Sequence, residues 1–98
     1  MRTHGKVDLN QAEIVKALRK VGATVQSLAS VGRGCPDLLV GFHHRWTLLE
    51  VKGEKEKLTP MESDWHHRAN GHVYVVRSIE EALICVGCIT TEVGRKSA

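Results

Sequence analysis

The sequence predicts an α/β fold, one mixed central sheet flanked by helices in the order α-β-β-β-α-β-α, on three observations. Ile14, Ala17, Leu18 and Val21 recur at helical spacing. Thr59-Pro60-x-Glu62 and Ser78-x-x-Glu81 are helix starts with capping-box spacing. Between these helical stretches lie short apolar, β-branched runs, of which Gly34–Gly53, GCPDLLVGFHHRWTLLEVKG, is the longest.

Taken in order, residues 1–7 read as a polar lead. A first helix is expected from about Asn10 to Val21, with Gly22 placed to stop it and with Asn10 and Glu13 at capping-box spacing. Ala23–Leu28 reads as a first strand at a sheet edge, followed by a loop, Ser30–Gly34, that carries two glycines and Arg33. Gly34–Gly53 then forms two strands joined at Phe42–Arg45 and lying in or near the centre of the sheet. Glu54–Lys57 is expected to be a solvated loop. Thr59 caps a helix that runs to Ala69 and buries Met61 and Trp65, and Asn70-Gly71 ends it. His72–Val76 is a strand with at least one buried face, and Ser78 caps a last helix containing Ala82, Leu83 and Val86.

With 98 residues the chain supports one domain, 1–98, with a core over about 8–89 and polar termini at 1–7 and 90–98. The sequence has no apolar run of membrane-spanning length and no basic segment leading into an apolar one, so no membrane partner is expected and the expected location is cytoplasmic, bacterial or phage-encoded. Three cysteines, Cys35, Cys85 and Cys88, form no disulfide framework, which agrees with a reducing compartment. The formal net charge of +3 leans weakly towards an anionic partner.

The central stretch carries Asp37, Glu50 and Lys52 where apolar residues would be expected. If His43-His44 is the tip of a tight hairpin, Phe42 faces Arg45, and counting outward sets Asp37 opposite Glu50. Opposed residues share a face, with Cβ atoms roughly 4.5–5.5 Å apart. Lys52 shares that face with Glu50, while Leu49 and Val51 point the other way. Two carboxylates so close raise each other's pKa unless a cation separates them. A hard divalent ion with oxygen ligands, Mg²⁺ or Mn²⁺, suits the pair, with the backbone carbonyl of Val51 as a further ligand. Such a set suits phosphodiester hydrolysis: the ion activates water and polarises the phosphate, and Lys52 orients the water or neutralises developing charge.

Pro36-Asp37, a dozen residues, then Glu50-Val51-Lys52 resembles the signature of the PD-(D/E)XK nuclease superfamily. Within it, GATV, RGCPDLLV, WTLLEVKG, LTPMESDWHHR and GHVYVV, in that order, resemble a stand-alone VRR-NUC domain over roughly Asn10–Ile84. The resemblance implies a restriction-endonuclease-like core, Mg²⁺ or Mn²⁺ dependence and cleavage of DNA, often branched. It also implies a homodimer similar to Holliday-junction resolvases, in which each subunit cuts one strand. By position, Asp37 and Glu50 become metal ligands, Lys52 the catalytic lysine, and Glu13 an acidic residue that binds metal directly or through water. Where the family usually has Gln in the helix after its LTP-like element, this chain has Glu62, either an auxiliary carboxylate or a helix cap.

Other residues invite weaker assignments. Arg33, Lys55 and Lys57 flank the site and are candidates for phosphate contacts that position DNA without reading sequence. Cys85-x-x-Cys88 has zinc-ligand spacing but lacks nearby partners, so two semi-buried thiols of the last helix are the simpler reading. His66 and His67, adjacent on a helix, fall on different faces and do not form a ligand pair, and Trp65 reads as core. The expected function is metal-dependent, structure-selective DNA cleavage, as at a Holliday junction. The alternatives are a sequence-specific restriction-type nuclease and a non-catalytic DNA-binding module on the same fold.

Overall fold

The computed structural model describes residues 2–89, with side chains from Asn10 onward. Its elements follow the expected order: α1 (Arg2–Lys20), β1 (Thr24–Ser27), β2 (Leu38–Phe42), β3 (Arg45–Val51), α2 (Pro60–Arg68), β4 (Val73–Val76) and α3 (Ile79–Val86). The sheet order is β1-β2-β3-β4, antiparallel through β3 and parallel between β3 and β4. A parallel neighbour cannot be reached by a tight turn, so the chain crosses over through α2. No helix among the described residues is long and apolar enough to cross a membrane.

The hairpin turns at His43 and His44, both at positive φ (50° and 64°), as a two-residue type I′ turn requires. That turn pairs Phe42 with Arg45 and carries the register through Gly41–Trp46 to Leu38–Leu49 without a bulge. Gly41 matters here because the Trp46 ring lies across it; a Cβ at Gly41 would come within 2.8 Å of the indole. The two histidines hold a left-handed conformation that disfavours any side chain with a Cβ.

Alternation along the strands puts Leu38, Val40, Leu49, Val51 and Val76 on one face, where Ile14 and Leu18 of α1 and Ala82 and Val86 of α3 bury them. α1 ends as expected. Gly22 adopts φ +94°, its N–H reaches Arg19 and the Ala23 N–H reaches Leu18, the paired bonds of a Schellman stop. Its start differs from the expected one, because residues 2–7 belong to the helix and are no polar lead. Asn10 and Glu13 are therefore interior and form no cap; Asn10 instead spends its side-chain amide on the carbonyl of Lys52, 3.1 Å away. The helix extends because no Pro interrupts it, and propagation beyond a docked amphipathic segment costs little. The expected polar tail from residue 90 lies outside the described residues.

α2 starts where the capping box places it: Thr59 Oγ1 accepts from the Glu62 N–H, and Glu62 Oε1 accepts from the Thr59 N–H. The expected burial along it is not found. α2 buries no residue, Met61 is 59% exposed and Trp65 is only half-buried. The apolar face of the sheet is already covered by α1 and α3, so α2 takes the polar face. Its first turn is held close by Gly34 (φ +83°), where a Cβ would meet the Met61 backbone, 2.7 Å from its carbonyl carbon.

Two substitutions test these backbone constraints by urea denaturation. His44→Gly removes a left-handed L-residue and should stabilise the fold by about 0.5–1 kcal/mol. Gly34→Ala adds both positive-φ strain and a backbone clash, and should destabilise it by about 2 kcal/mol or more.

Candidate active site

The hairpin register brings Asp37 and Glu50 together. Leu38 pairs with Leu49, so the residues one step outward, Asp37 and Glu50, stand opposite each other. Asp37 Oδ2 accepts a 2.7 Å bond from the Val51 N–H, and the Asp37 carbonyl accepts from the Leu28 N–H, so the residue is fixed from both neighbouring strands. Lys52 donates its backbone N–H to Val76 on the β4 side. Alternation then turns the Val51 carbonyl to the β2 side, where Asp37 sits.

Glu50 and Lys52 are 1% and 4% exposed, the two buried charged residues among those described. Burial pushes the Glu50 carboxyl up, and the charge and hydrogen bond of Asp37 and the charge of Glu62 push it further, against the pull of Lys52; the result is about 9. Glu50 is thus a neutral acid at pH 7 so long as no cation lies beside it. The donor set suits a hard divalent ion: two facing carboxylates with a backbone carbonyl turned towards them. Among the described residues no group of three or more His, Cys, Asp or Glu side chains is arranged to hold a metal ion, so an ion here would have two carboxylates and complete its coordination with water, as Mg²⁺ does.

Lys52 is held by two glutamates. Its Nζ lies 2.6 Å from Glu62 Oε1 and 3.5 Å from Glu56 Oε2. Burial works against the ammonium, but the hydrogen bond and charge of Glu62, then Glu56 and Glu50, raise its pKa above the ordinary lysine value. Burial likewise works against Glu62 as an anion, yet Lys52 and the Thr59 N–H and hydroxyl bring it below the usual range. Of the two readings of Glu62, the helix cap is observed, and the carboxylate also reaches Lys52 in an ion pair that an amide could not form.

The loop after Lys52 is solvated at Glu54, Lys55 and Lys57, as expected, but Glu56 is half-buried. Glu56 folds back so that its Oε1 accepts from the Gly53 N–H, and Arg77 Nη1 donates 2.6 Å bonds to the carbonyls of Gly53 and Glu56. A guanidinium satisfying two carbonyls at once makes this polar loop part of the wall. Arg77 and Asn10 both hold backbone around Lys52. Nothing in their local sequence marks either role, because both contacts cross more than 20 residues.

His66 is a neighbour of Glu50 that sequence reasoning set aside. Its Nε2 lies 3.2 Å from Glu50 Oε1, and burial lowers its pKa, with Lys52 adding to the effect and Glu62 and Asp37 opposing it. The available signal was its spacing of four from Glu62, which puts both on one helix face. His67 is exposed. Cys35 also feels the site, since burial and then Glu50 and Asp37 raise its thiol pKa.

The remaining candidates are not bonded to this cluster. Glu13 is exposed on α1 and forms no hydrogen bond or ion pair with the site. Arg33, Lys55 and Lys57 are exposed. Cys85 and Cys88 are half-buried free thiols packed against the core, Cys88 just beyond the end of α3.

Because folded Glu50 keeps a proton that the unfolded chain releases near pH 4.5, its contribution to stability falls as pH rises from about 4.5 to 9. Glu50→Gln should lack this fall. In EDTA, the stability of the variant relative to the parent should increase by about 1–3 kcal/mol from pH 5 to pH 8, measured by urea denaturation at each pH.

No family model and no curated protein matches the sequence. Among solved structures, a chain described as "VRR_NUC domain" is 31% identical, superposes with a TM-score of 0.67, and aligns over 81% of this chain and 94% of its own. That likeness takes in most of this chain and nearly all of the matched one, so the architecture and the sequence agree on one assignment. The chain belongs to the VRR-NUC family and has its nuclease fold.

Proposed function

We propose that the protein is a metal-dependent DNA endonuclease of the PD-(D/E)XK type. The observation that carries this reading is the buried Glu50 opposed to the half-buried Asp37, with the buried Lys52 on the same face. Mg²⁺ or Mn²⁺, held by Asp37, Glu50 and the Val51 carbonyl, would supply a Lewis acid for the phosphoryl oxygen and an acidified water. Glu13, which makes no direct bond to the carboxylate pair, would contribute through water. Lys52 would orient the attacking water and offset charge developing on the phosphate, after turning from the Glu62 and Glu56 carboxylates. Glu62 would hold the lysine protonated until substrate arrives.

Arg33, Lys55 and Lys57 lie on exposed loops next to residues that build the site, and they would contact phosphates and position DNA without reading bases. Recognition through backbone and shape favours branched DNA, such as a Holliday junction, over a defined target sequence. A homodimer would match the two-fold symmetry of a junction and give each strand its own site. Action in the cytoplasm, of a bacterium or of a phage-infected host, fits the free thiols.

Asp37→Ala and Lys52→Ala should each reduce Mn²⁺-dependent cleavage by at least about 10³-fold, with the fold retained by circular dichroism. Undiminished cutting by both variants would remove the mechanism. Linear duplex, flap and four-way junction substrates, assayed side by side, should show preference for the branched forms. Cleavage of linear duplex at one sequence would point to a restriction-type enzyme, and DNA binding without cleavage to a non-catalytic module.

A further inference from the structure

One oxygen of each facing carboxylate is tied to the protein. Asp37 Oδ2 accepts from the Val51 N–H at 2.7 Å, and Glu50 Oε1 contacts His66 Nε2 at 3.2 Å. The other two oxygens, Asp37 Oδ1 and Glu50 Oε2, receive no protein N–H among the described residues. The Asp37 anchor is backbone and follows from the register. The Glu50 anchor is a side chain from a different element, and the register of β2 and β3 does not require it.

Several features place His66 for that contact. The Thr59–Glu62 capping box sets where α2 begins, and Gly34 lets the first turn approach the loop before β2. Glu62 and His66, one turn apart, then fall on the face that looks onto the sheet, and they bond Lys52 and Glu50 respectively. Since α2 buries no residue, these polar contacts help to hold it against the sheet, and His66 is half-buried where His67 is exposed. A carboxylate bound to a cation is an acceptor only, so the bond to Glu50 requires an N–H on His66 Nε2.

The geometry points to His66 as a positioning residue that donates from Nε2 to Glu50 Oε1 and thereby leaves Glu50 Oε2 facing the gap shared with Asp37, where a divalent cation binds. This rests on the reading of Asp37 and Glu50 as a metal site. Donors that orient a ligating carboxylate are typically worth roughly 10–100-fold in metal affinity. His66 does not touch the ion; it acts through Glu50.

The test is a Mn²⁺ titration by calorimetry on the full chain, comparing the parent with His66→Leu, His66→Gln and Asp37→Ala. Leucine keeps the bulk and loses the donor, whereas the glutamine amide nitrogen can reach the place of Nε2. Expected results are Mn²⁺ binding weakened roughly 10–100-fold in His66→Leu and within about threefold of the parent in His66→Gln. Melting curves in EDTA check that each variant is folded. Should His66→Leu unfold, His66→Gln still decides, since binding as weak as that of Asp37→Ala would overturn the donor role. Parent-like binding by His66→Leu also overturns it. If Asp37→Ala loses Mn²⁺ while His66→Leu keeps it, only the role of His66 fails; if Asp37→Ala binds like the parent, the metal site fails and this inference with it.

Discussion

The register of one hairpin governs the rest of the site. A two-residue turn at His43-His44 leaves a single pairing, and that pairing puts Asp37 across from Glu50. A slip of β3 by one residue against β2 would send Glu50 into the apolar core and Leu49 out to solvent. The core residues on the back of the hairpin therefore enforce the polar geometry on its front. This is why Glu50 stays buried and protonated rather than turning outwards: the strand that carries it is held by Leu49 and Val51, both buried.

Around this fixed pair the chain builds a wall from distant segments. Asn10 from α1 takes the Lys52 carbonyl, Arg77 beyond β4 closes the loop after Lys52, and α2 supplies Glu62 and His66. Every buried side-chain polar atom among the described residues finds a partner, so the charged cluster is accommodated without an orphaned group. The cost of burying Lys52 is offset by two glutamates, and that of burying Glu50 by keeping its proton. A divalent ion would change the second balance and not the first. The lysine is therefore electrostatically satisfied by the protein itself.

The helices divide the labour by face. α1 and α3 bury the apolar side of the sheet, which leaves α2, joined to the central strand β3 and the edge strand β4 by the β3–α2–β4 crossover, to cover the polar side. Its exposed Met61 and half-buried Trp65 follow from that placement. The helix is positioned by its cap, by the close approach at Gly34 and by ionic contacts, so the helix that reaches Glu50 and Lys52 is also the one with the least apolar anchorage.

Sequence alone determined the element order, the caps at Thr59 and Ser78, the stop at Gly22 and the facing of Asp37 and Glu50, because each depends on local periodicity, turn chemistry or a two-residue loop. The ordered motifs also identified the family that the solved VRR_NUC structure bears out. The helical state of residues 2–7, the folded-back Glu56 loop and the shallow burial of α2 were not legible, because propensity and polarity say nothing about which sheet face remains uncovered. The contacts of Asn10, His66 and Arg77 were decided only by the tertiary structure. Each joins the site across 16 or more residues, and no local pattern encodes a partner at that distance.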